Sequence, residues 1–226
     1  MSRNLKLSVS LTALVVLVLA AVFVWTAGRS EAEPVAAPAT AAPASDAQAV
    51  REDSYVLGEP GTTRVTLAEF LDFECEGCRA AYPLVEQLRQ DYAGRVTFVV
   101  RYFPLAGHLN AMNAALAVEA AAQQGRFEDM YARMYATQTS WGDQQVSHAD
   151  TFRGFAADLG LDVTAYDRAV ADPASRARVE KDVADGLGLG VQGTPTFFLD
   201  GRQLKPTSEA DLRASVDAAL AAAASS

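Results

Sequence analysis

The sequence predicts an α/β fold in which a strand–helix–strand unit comes first, a group of helices follows, and a strand–strand–helix unit closes the domain. Three observations carry this prediction. Apolar runs at 65–73 and 95–103 enclose a segment of helical period, which is typical of parallel strands joined by a crossover helix. Residues 110–187 show helical spacing without a strand signal. A short apolar strand at 196–199 precedes an Asp-Gly turn, which indicates a hairpin.

Local patterns justify the elements in order. An edge strand is predicted at 54–58, before the first long strand, and the first helix should run from Cys78 to about Tyr92. Glycine and proline divide the helical insert, about 108–188, into five predicted helices: 110–124, 126–139, 148–159, 163–172 and 173–187. A return strand at 203–205 and a helix at 208–223, with Ser208 as its N-cap, complete the domain.

The N-terminus carries a candidate membrane anchor. Residues 7–27 are uncharged and largely apolar, close to the about 20 residues that cross a bilayer. Arg3 and Lys6 precede this run, which predicts a cytoplasmic N-terminus and an external domain. A cleaved signal peptide is the alternative, and either interpretation exports the domain. The predicted organisation is an anchor at 1–27, an Ala/Pro-rich linker at 28–50, and a folded domain at 51–226.

Composition narrows the function. The net charge is −9, and neither a basic patch nor a basic amphipathic helix appears, which argues against nucleic-acid partners. The chain contains only two cysteines. Exported domains usually place cysteines in structural bridges. A single pair can instead cycle between dithiol and disulfide without exchanging with other thiols of the same chain.

The two cysteines form a Cys75-Glu-Gly-Cys78 motif at the junction of a strand and a helix. At this position the first thiol faces unpaired N–H groups of the helix, which favour a thiolate. We therefore predict Cys75 as the nucleophile and Cys78 as the resolving thiol of thiol–disulfide exchange, without a metal or an organic cofactor. The alternatives are half of a zinc site, for which only two histidines remain, and a structural disulfide.

Two segments carry a family resemblance: Leu67-Ala-Glu-Phe-Leu-Asp-Phe-Glu-Cys-Glu-Gly-Cys78 and Gly193-Thr-Pro-Thr-Phe-Phe198. Together they resemble DsbA-type thiol:disulfide oxidoreductases, especially the membrane-anchored bacterial members. This resemblance covers the domain with its insert, and it implies a thioredoxin-like fold.

The resemblance also implies further site residues. It implies a cis Thr194–Pro195 bond beside the cysteines, where a client backbone would pair. For Glu69, the spacing alone leaves a solvated edge residue and a buried acid open, and the resemblance favours a buried proton acceptor for Cys78. Strongly oxidising members tend to carry histidine between the cysteines, whereas this chain has Glu76 and Gly77. Because Glu74 adds a second negative charge, we expect the pKa of the Cys75 thiol to lie nearer the ordinary thiol value, and the potential to be less oxidising, than in those members.

These features predict a single-pass membrane protein of bacterial type whose external domain introduces disulfides into exported proteins. Its expected partners are cysteine-containing clients and a membrane redox partner that reoxidises it. Two other hypotheses stay open. One is a membrane-tethered reductase or isomerase, and the other is a non-catalytic module that binds clients through the same fold.

Overall fold

The computed structural model describes residues 46–225. The strands in this range are β1 (Tyr55–Val56), β2 (Thr66–Leu71), β3 (Thr97–Tyr102), β4 (Thr196–Leu199) and β5 (Arg202–Gln203). The helices are α1 (Glu76–Asp91), α2 (Ala111–Ala122), α3 (Phe127–Thr137), α4 (Ala149–Asp158), α5 (Val163–Ala171), α6 (Pro173–Gly188) and α7 (Glu209–Ala224), with a 3-10 turn at Gln138–Ser140 after α3. This order confirms the predicted α/β fold with an all-helical insertion.

The described strands form one mixed sheet in the order β1-β3-β2-β4-β5. Strands β2 and β3 are parallel, with Leu67 opposite Phe98, and α1 makes the crossover between them. Strand β4 runs antiparallel to β2 on its other side, with Phe70 opposite Thr196. The carboxyl end of β2 therefore lies beside the beginning of β4. This topology places the residues that follow β2 next to those that precede β4.

Alternate residues of β2 enter two hydrophobic clusters, as expected for a strand buried on both faces. Leu67 and Leu71 belong to the cluster that includes α1, the insert and α7. Phe70 and Phe103 belong to the cluster on the other face, which α6 covers. A Cβ atom on Gly186 of α6 would lie 2.7 Å from the Phe103 ring. Only glycine therefore lets α6 approach the sheet this closely.

The insert packs around α2. Nine of the twelve residues of α2 are buried, and most of these are alanines, whose small side chains let neighbouring helices come close. The neighbouring α3 contributes an apolar stripe at helical spacing, which is typical of a helix face that packs on the core. All five members are buried: Phe127, Met130, Tyr131, Met134 and Tyr135. The stripe thus forms part of the core that joins the insert to the sheet.

Two of the differences between predicted and observed element boundaries have a visible cause in the backbone. Helix α1 begins at Glu76 rather than at Cys78, because Cys75 already has the extended backbone of an N-cap residue. The return strand spans Arg202–Gln203 rather than 203–205. Asp200 and Gly201 both have positive φ, 49° and 78°, which makes the tight two-residue hairpin turn that pairs Leu199 with Arg202.

The segment before β1 is attached to the domain. Residues 46–50, which we assigned to the linker, contribute the buried Ala49 and two backbone hydrogen bonds of Gln48, to Asp185 and from Arg101. The contacts of the domain therefore begin before the predicted boundary at 51. The proposed anchor at 1–27 and most of the linker lie outside the described residues. Within 46–225, no helix combines the length and the apolar character that a membrane span requires.

Candidate active site

The cysteine motif lies where β2 gives way to α1. Cys75 is the N-cap residue of α1, with φ −68° and ψ 123°, and its carbonyl accepts the first helical hydrogen bond, from Arg79 N at 3.1 Å. Cys78 lies within the first turn and is 1% exposed, whereas Cys75 is 9% exposed. Both are free thiols in this structure. The more accessible sulfur is therefore the one at the helix end, where the positive pole of the helix dipole acts on it.

The electrostatic environment favours a thiolate at Cys75. A hydrogen bond from the Cys78 thiol and the backbone N–H groups of Gly77 and Cys78 lower the pKa of Cys75 to about 5, although partial burial opposes this. At Cys78 burial prevails, and together with the hydrogen bond to Cys75 it raises the pKa of this inner thiol well above its ordinary value. The pair thus combines an ionised outer sulfur with a protonated inner one, which is the division of roles that exchange requires.

That the pKa of Cys75 lies nearer the ordinary thiol value than in strongly oxidising members stays a prediction, but the charges on which it relied are placed differently from what it assumed. It counted Glu74 and Glu76 as negative neighbours in the sequence. The Glu74 carboxylate instead turns inward and accepts a hydrogen bond from Asn110 N at 2.6 Å, while Glu76 is exposed to solvent that screens its charge. Gly77 does tune the thiol, through its N–H group rather than through its side chain. The less oxidising potential of the Cys75–Cys78 pair likewise stays a prediction, because the positions of Glu74 and Glu76 do not support it.

The Thr194–Pro195 loop packs directly against the cysteines. Its peptide bond is cis, and the Thr194 carbonyl lies 3.4 Å from the Cys75 sulfur. A Cβ atom on Gly77 would lie 3.3 Å from Pro195 Cδ, so the loop and the first turn of α1 are in contact. Residues about 120 positions apart in the sequence therefore form one site, because β4 starts beside the end of β2.

Glu69 lies on β2, beneath the cysteine pair. Its side chain points into the cluster that contains Cys78, and the residue is 5% exposed. Burial raises the pKa of Glu69 to about 8, and the negative charge of Cys75 adds to this effect. Glu69 in turn raises the pKa of Cys78. Of the two interpretations that its spacing left open, the structure shows the buried acid, and its role in proton transfer stays a proposal.

Two residues without a role predicted from the sequence, Asp72 and His108, hold the loop between β2 and α1. Asp72 follows β2 and is buried, and its carboxylate accepts hydrogen bonds from Glu74 N at 2.8 Å and Leu105 N at 3.0 Å. His108 Nδ1 lies 2.6 Å from the same carboxylate. Partial burial works against the charged imidazole, but the bond to Asp72 prevails and raises the pKa of His108. Asp72 could have been found from the sequence as an acidic residue at the carboxyl end of an apolar strand, directly before the cysteine motif.

The sequence of the domain matches a known protein family. The family model described as thioredoxin matches residues 51–218. The chain belongs to the thioredoxin family. The predicted recognition and the predicted thiol–disulfide oxidoreductase class are both confirmed at this level. The family match covers the cysteine motif, the insert and the Thr194–Pro195 loop within one continuous segment.

Solved structures with a similar fold include two oxidoreductases. A thioredoxin-like oxidoreductase from Silicibacter pomeroyi is 28% identical with a TM-score of 0.64, and the match covers 78% of this chain and 97% of that one. The α-DsbA1 protein of Wolbachia pipientis is 17% identical with a TM-score of 0.67, covering 77% and 94%. At this low identity, the second structure shows the fold rather than a shared activity.

Curated relatives show the same domain in a different setting. A Na⁺/H⁺ antiporter NhaA of Herminiimonas arsenicoxydans is 34% identical over 163 residues, which is 70% of this chain. This chain spans only 24% of the antiporter's length. The thioredoxin-family domain therefore corresponds to a minor part of that protein, and the antiporter's name describes the whole protein rather than the matched segment.

No metal centre is visible in the described part of this thioredoxin-family domain: within 46–225, no three His, Cys, Asp or Glu side chains are placed to hold a metal ion together. The expectation that the enzyme needs no cofactor beyond its cysteine pair stays a prediction. The chemistry that the residues offer is a two-electron exchange between the Cys75 and Cys78 sulfurs and an external thiol or disulfide.

The buried acid gives a prediction for stability. Because the folded protein holds the Glu69 proton up to about pH 8, whereas an unfolded chain releases it near 4.5, wild-type protein loses stability as the pH rises through this interval. Glu69→Gln should therefore stabilise the reduced protein at pH 8 by about 1–3 kcal/mol and change it little at pH 4.5. Urea unfolding of both proteins across this range measures the difference.

The lowered pKa of Cys75 produces a slope of the opposite sign, since that contribution is lost as the pH falls towards 5. It is present in wild type and variant alike, so the difference between them reports on Glu69. Glu180→Gln, which removes a carboxylate whose side chain is 57% exposed, is the matched control and should leave the pH dependence unchanged. Parallel curves for wild type and Glu69→Gln would contradict the assignment of a raised pKa to Glu69.

Proposed function

We propose that this protein is an extracytoplasmic thiol–disulfide oxidoreductase that introduces disulfides into exported proteins. One observation carries the proposal: the Cys75 thiolate is stabilised at the end of α1, with Cys78 buried behind it and Thr194 beside it. Stabilising the thiolate stabilises the reduced enzyme, and a dithiol that is stable in its reduced form makes its disulfide an oxidant.

The reaction follows from the exposure of the two sulfurs. A client thiolate attacks Cys75 Sγ of the oxidised pair, the Cys75–Cys78 bond breaks, and Cys78 leaves as a thiolate. Glu69, protonated near neutral pH, supplies the proton that Cys78 takes up. A second client thiolate then attacks the client sulfur of the mixed disulfide, and Cys75 leaves as the stabilised thiolate. Two electrons pass from the client to the enzyme.

Client binding is proposed for the loop of Thr194 and Pro195. Proline carries no N–H group, and the cis bond brings the Thr194 carbonyl to the Cys75 sulfur. A client chain that pairs with this backbone would place its cysteine beside Cys75. The reduced enzyme then needs a membrane redox partner that accepts two electrons and restores the disulfide.

The proposed location rests on the sequence. The apolar run at 7–27 and the positive residues before it support a single-pass protein with an external domain. Relatives named as Na⁺/H⁺ antiporters contain a segment that matches this domain, which supports a location at a membrane. Labelling of thiols with impermeant reagents in intact bacteria would show whether the domain is external.

Three measurements test the direction of electron flow. Purified protein, oxidised beforehand, is mixed with a reduced two-cysteine client, and the reduced form is assayed separately for insulin reduction. We expect stoichiometric client oxidation and slow insulin reduction. In cells, alkylation followed by gel shift should find Cys75 and Cys78 mostly oxidised. A mostly reduced pair with rapid insulin reduction would support the reductase hypothesis, and inactivity in both assays would support a client-binding module.

A further inference from the structure

Gln138 connects the helical insert to the cysteine motif. It occupies the 3-10 turn after α3 and is 2% exposed. Its side-chain Nε2 donates to two carbonyl oxygens of the loop between β2 and α1, those of Phe73 at 2.7 Å and Cys75 at 2.9 Å. These carbonyls lie more than 60 positions away in the sequence. Both N–H groups of one buried amide are thus used to hold the loop that presents the catalytic sulfur.

The orientation of this amide is fixed from two sides. Its Oε1 accepts a hydrogen bond from Arg79 Nε at 3.0 Å, and Arg79 is the residue that follows Cys78. The backbone carbonyl of Gln138 accepts hydrogen bonds from Trp141 N at 3.1 Å and from Gly142 N at 2.7 Å. A Cβ atom on Gly142 would lie 3.0 Å from that carbonyl oxygen, so the turn is tightly packed. Gln138 is therefore held in one conformation, with its amide directed at the loop.

Hydrogen bonds to its backbone carbonyl hold Cys75 in its conformation. It caps α1 without a side-chain cap hydrogen bond, and its extended backbone directs the sulfur towards the N–H groups of the first turn. Its carbonyl is held between Arg79 N of the helix and Gln138 Nε2 of the insert. Rotation of this peptide unit would break both contacts and move the sulfur relative to its donors.

We propose that Gln138 is a positioning residue through which the helical insert sets the reactivity of Cys75. The inference rests on the proposed thiol–disulfide function and adds to it a residue and a mechanism of tuning. It explains why the insert, which supplies neither cysteine, contacts the motif with a buried amide rather than with an apolar side chain. Apolar packing would hold the distance between insert and loop, but it would not fix the orientation of the two carbonyls.

Gln138→Met tests the proposal, because methionine has a similar length and lacks the donors. We expect the pKa of Cys75, followed by thiolate absorbance, to rise by roughly one unit. The equilibrium constant for oxidation of a client by the enzyme, measured against a glutathione series, should fall about tenfold, which equals about 30 mV for a two-electron couple. A purely structural role would lower the stability and leave both quantities unchanged.

Thr137→Val is the matched control. It lies in the same turn and removes hydrogen bonds of the Thr137 hydroxyl with Arg133 O and Trp141 Nε1, without touching the cysteine loop. It should lower stability while leaving the Cys75 pKa and the glutathione equilibrium at wild-type values. Equal shifts in Thr137→Val and Gln138→Met would overturn the proposal, since general loosening of the insert would then explain both.

Gln138→Glu keeps the shape and the acceptor for Arg79, and serves where the methionine variant does not fold. Its ionised carboxylate cannot donate to the Phe73 and Cys75 carbonyls, so the Cys75 pKa should again rise. Wild-type values in either folded variant would overturn the inference and leave the proposed function intact. If wild-type protein itself shows no exchange through Cys75, the proposed function fails, independently of how Gln138 behaves.

Discussion

Replacing Cys75 by serine should abolish the oxidation of reduced clients, with a fall in rate of roughly a thousandfold or more, because a serine hydroxyl cannot form the disulfide intermediate. The substitution is nearly isosteric at a site that is 9% exposed, so folding should be retained. The rate of disulfide formation in a two-cysteine client, followed by thiol titration, measures the loss. Circular dichroism and urea unfolding establish that the variant is folded.

Cys78→Ser is the informative partner of this variant. The serine hydroxyl can still donate a hydrogen bond to the Cys75 sulfur, so the pKa of Cys75 should stay low and the thiolate should stay reactive. Without a resolving thiol, this variant should accumulate mixed disulfides when offered an oxidised client, and these are visible on non-reducing gels. Retained client oxidation by Cys75→Ser, or mixed disulfides that form equally well in both variants, would contradict the assignment of Cys75 as the nucleophile.

The fold was predictable from the sequence because its signals are local. The apolar runs of β2 and β3, with helical spacing between them, specify a parallel strand–helix–strand unit without reference to distant residues. The cysteine spacing places two thiols on the first turn of a helix by the same local logic. The hairpin was found from its Asp-Gly turn, and only the exact pairing of β5 depended on backbone angles that the sequence does not display.

The electrostatics of the site were not predictable in this way. Glu74 precedes Cys75 directly, yet its carboxylate bonds to the backbone of Asn110, 36 positions away. Asp72 and Gln138 hold the same loop through contacts that span 36 and more than 60 positions. Charge counted along the chain therefore left out the contacts that lower the pKa of Cys75 to about 5. The direction in which each carboxylate turns is decided by the fold rather than by its neighbours in the sequence.

Arg101 shows a second limit of sequence analysis, because it lies inside a strand that we predicted to be buried. It is 0% exposed, on the face of the sheet that α6 covers. Its guanidinium donates to Asp182 Oδ1 at 2.8 Å, to Asp185 Oδ2 at 2.5 Å and to Gln48 O at 2.9 Å. Its partners lie more than 80 positions later in the chain, in α6, apart from Gln48. The pairing joins the N-terminal segment, the sheet and the insert.

Arg101→Met should be the most destabilising of these substitutions, by about 3 kcal/mol at pH 7, because it removes the cation that two buried carboxylates share. Among the described residues, Asp182 then keeps only Arg178 as its cationic partner, and Asp185 keeps only Arg51. Arg153→Met is the matched control: its ion pair with Asp167 has side chains that are 52% and 48% exposed, and its loss should change the stability little because solvent screens the pair. Urea unfolding of both variants and wild type measures the two costs. A loss in Arg101→Met as small as in Arg153→Met would show that solvent reaches the buried carboxylates.

The pH dependence of this loss identifies its cause. Burial disfavours the ionised Asp185 carboxylate, but hydrogen bonds from Arg51 and Arg101 prevail and lower its pKa to about 2. A carboxylate with a lowered pKa stabilises the folded protein above its ordinary pKa, and this contribution is lost as the pH falls towards 2. Arg101→Met removes part of the contribution, so its deficit should be full at pH 7 and should shrink as the pH falls below about 4. A cavity left by the shorter side chain would cost the same at both pH values, so a constant deficit would assign the loss to packing rather than to the lost ion pairs of Arg101.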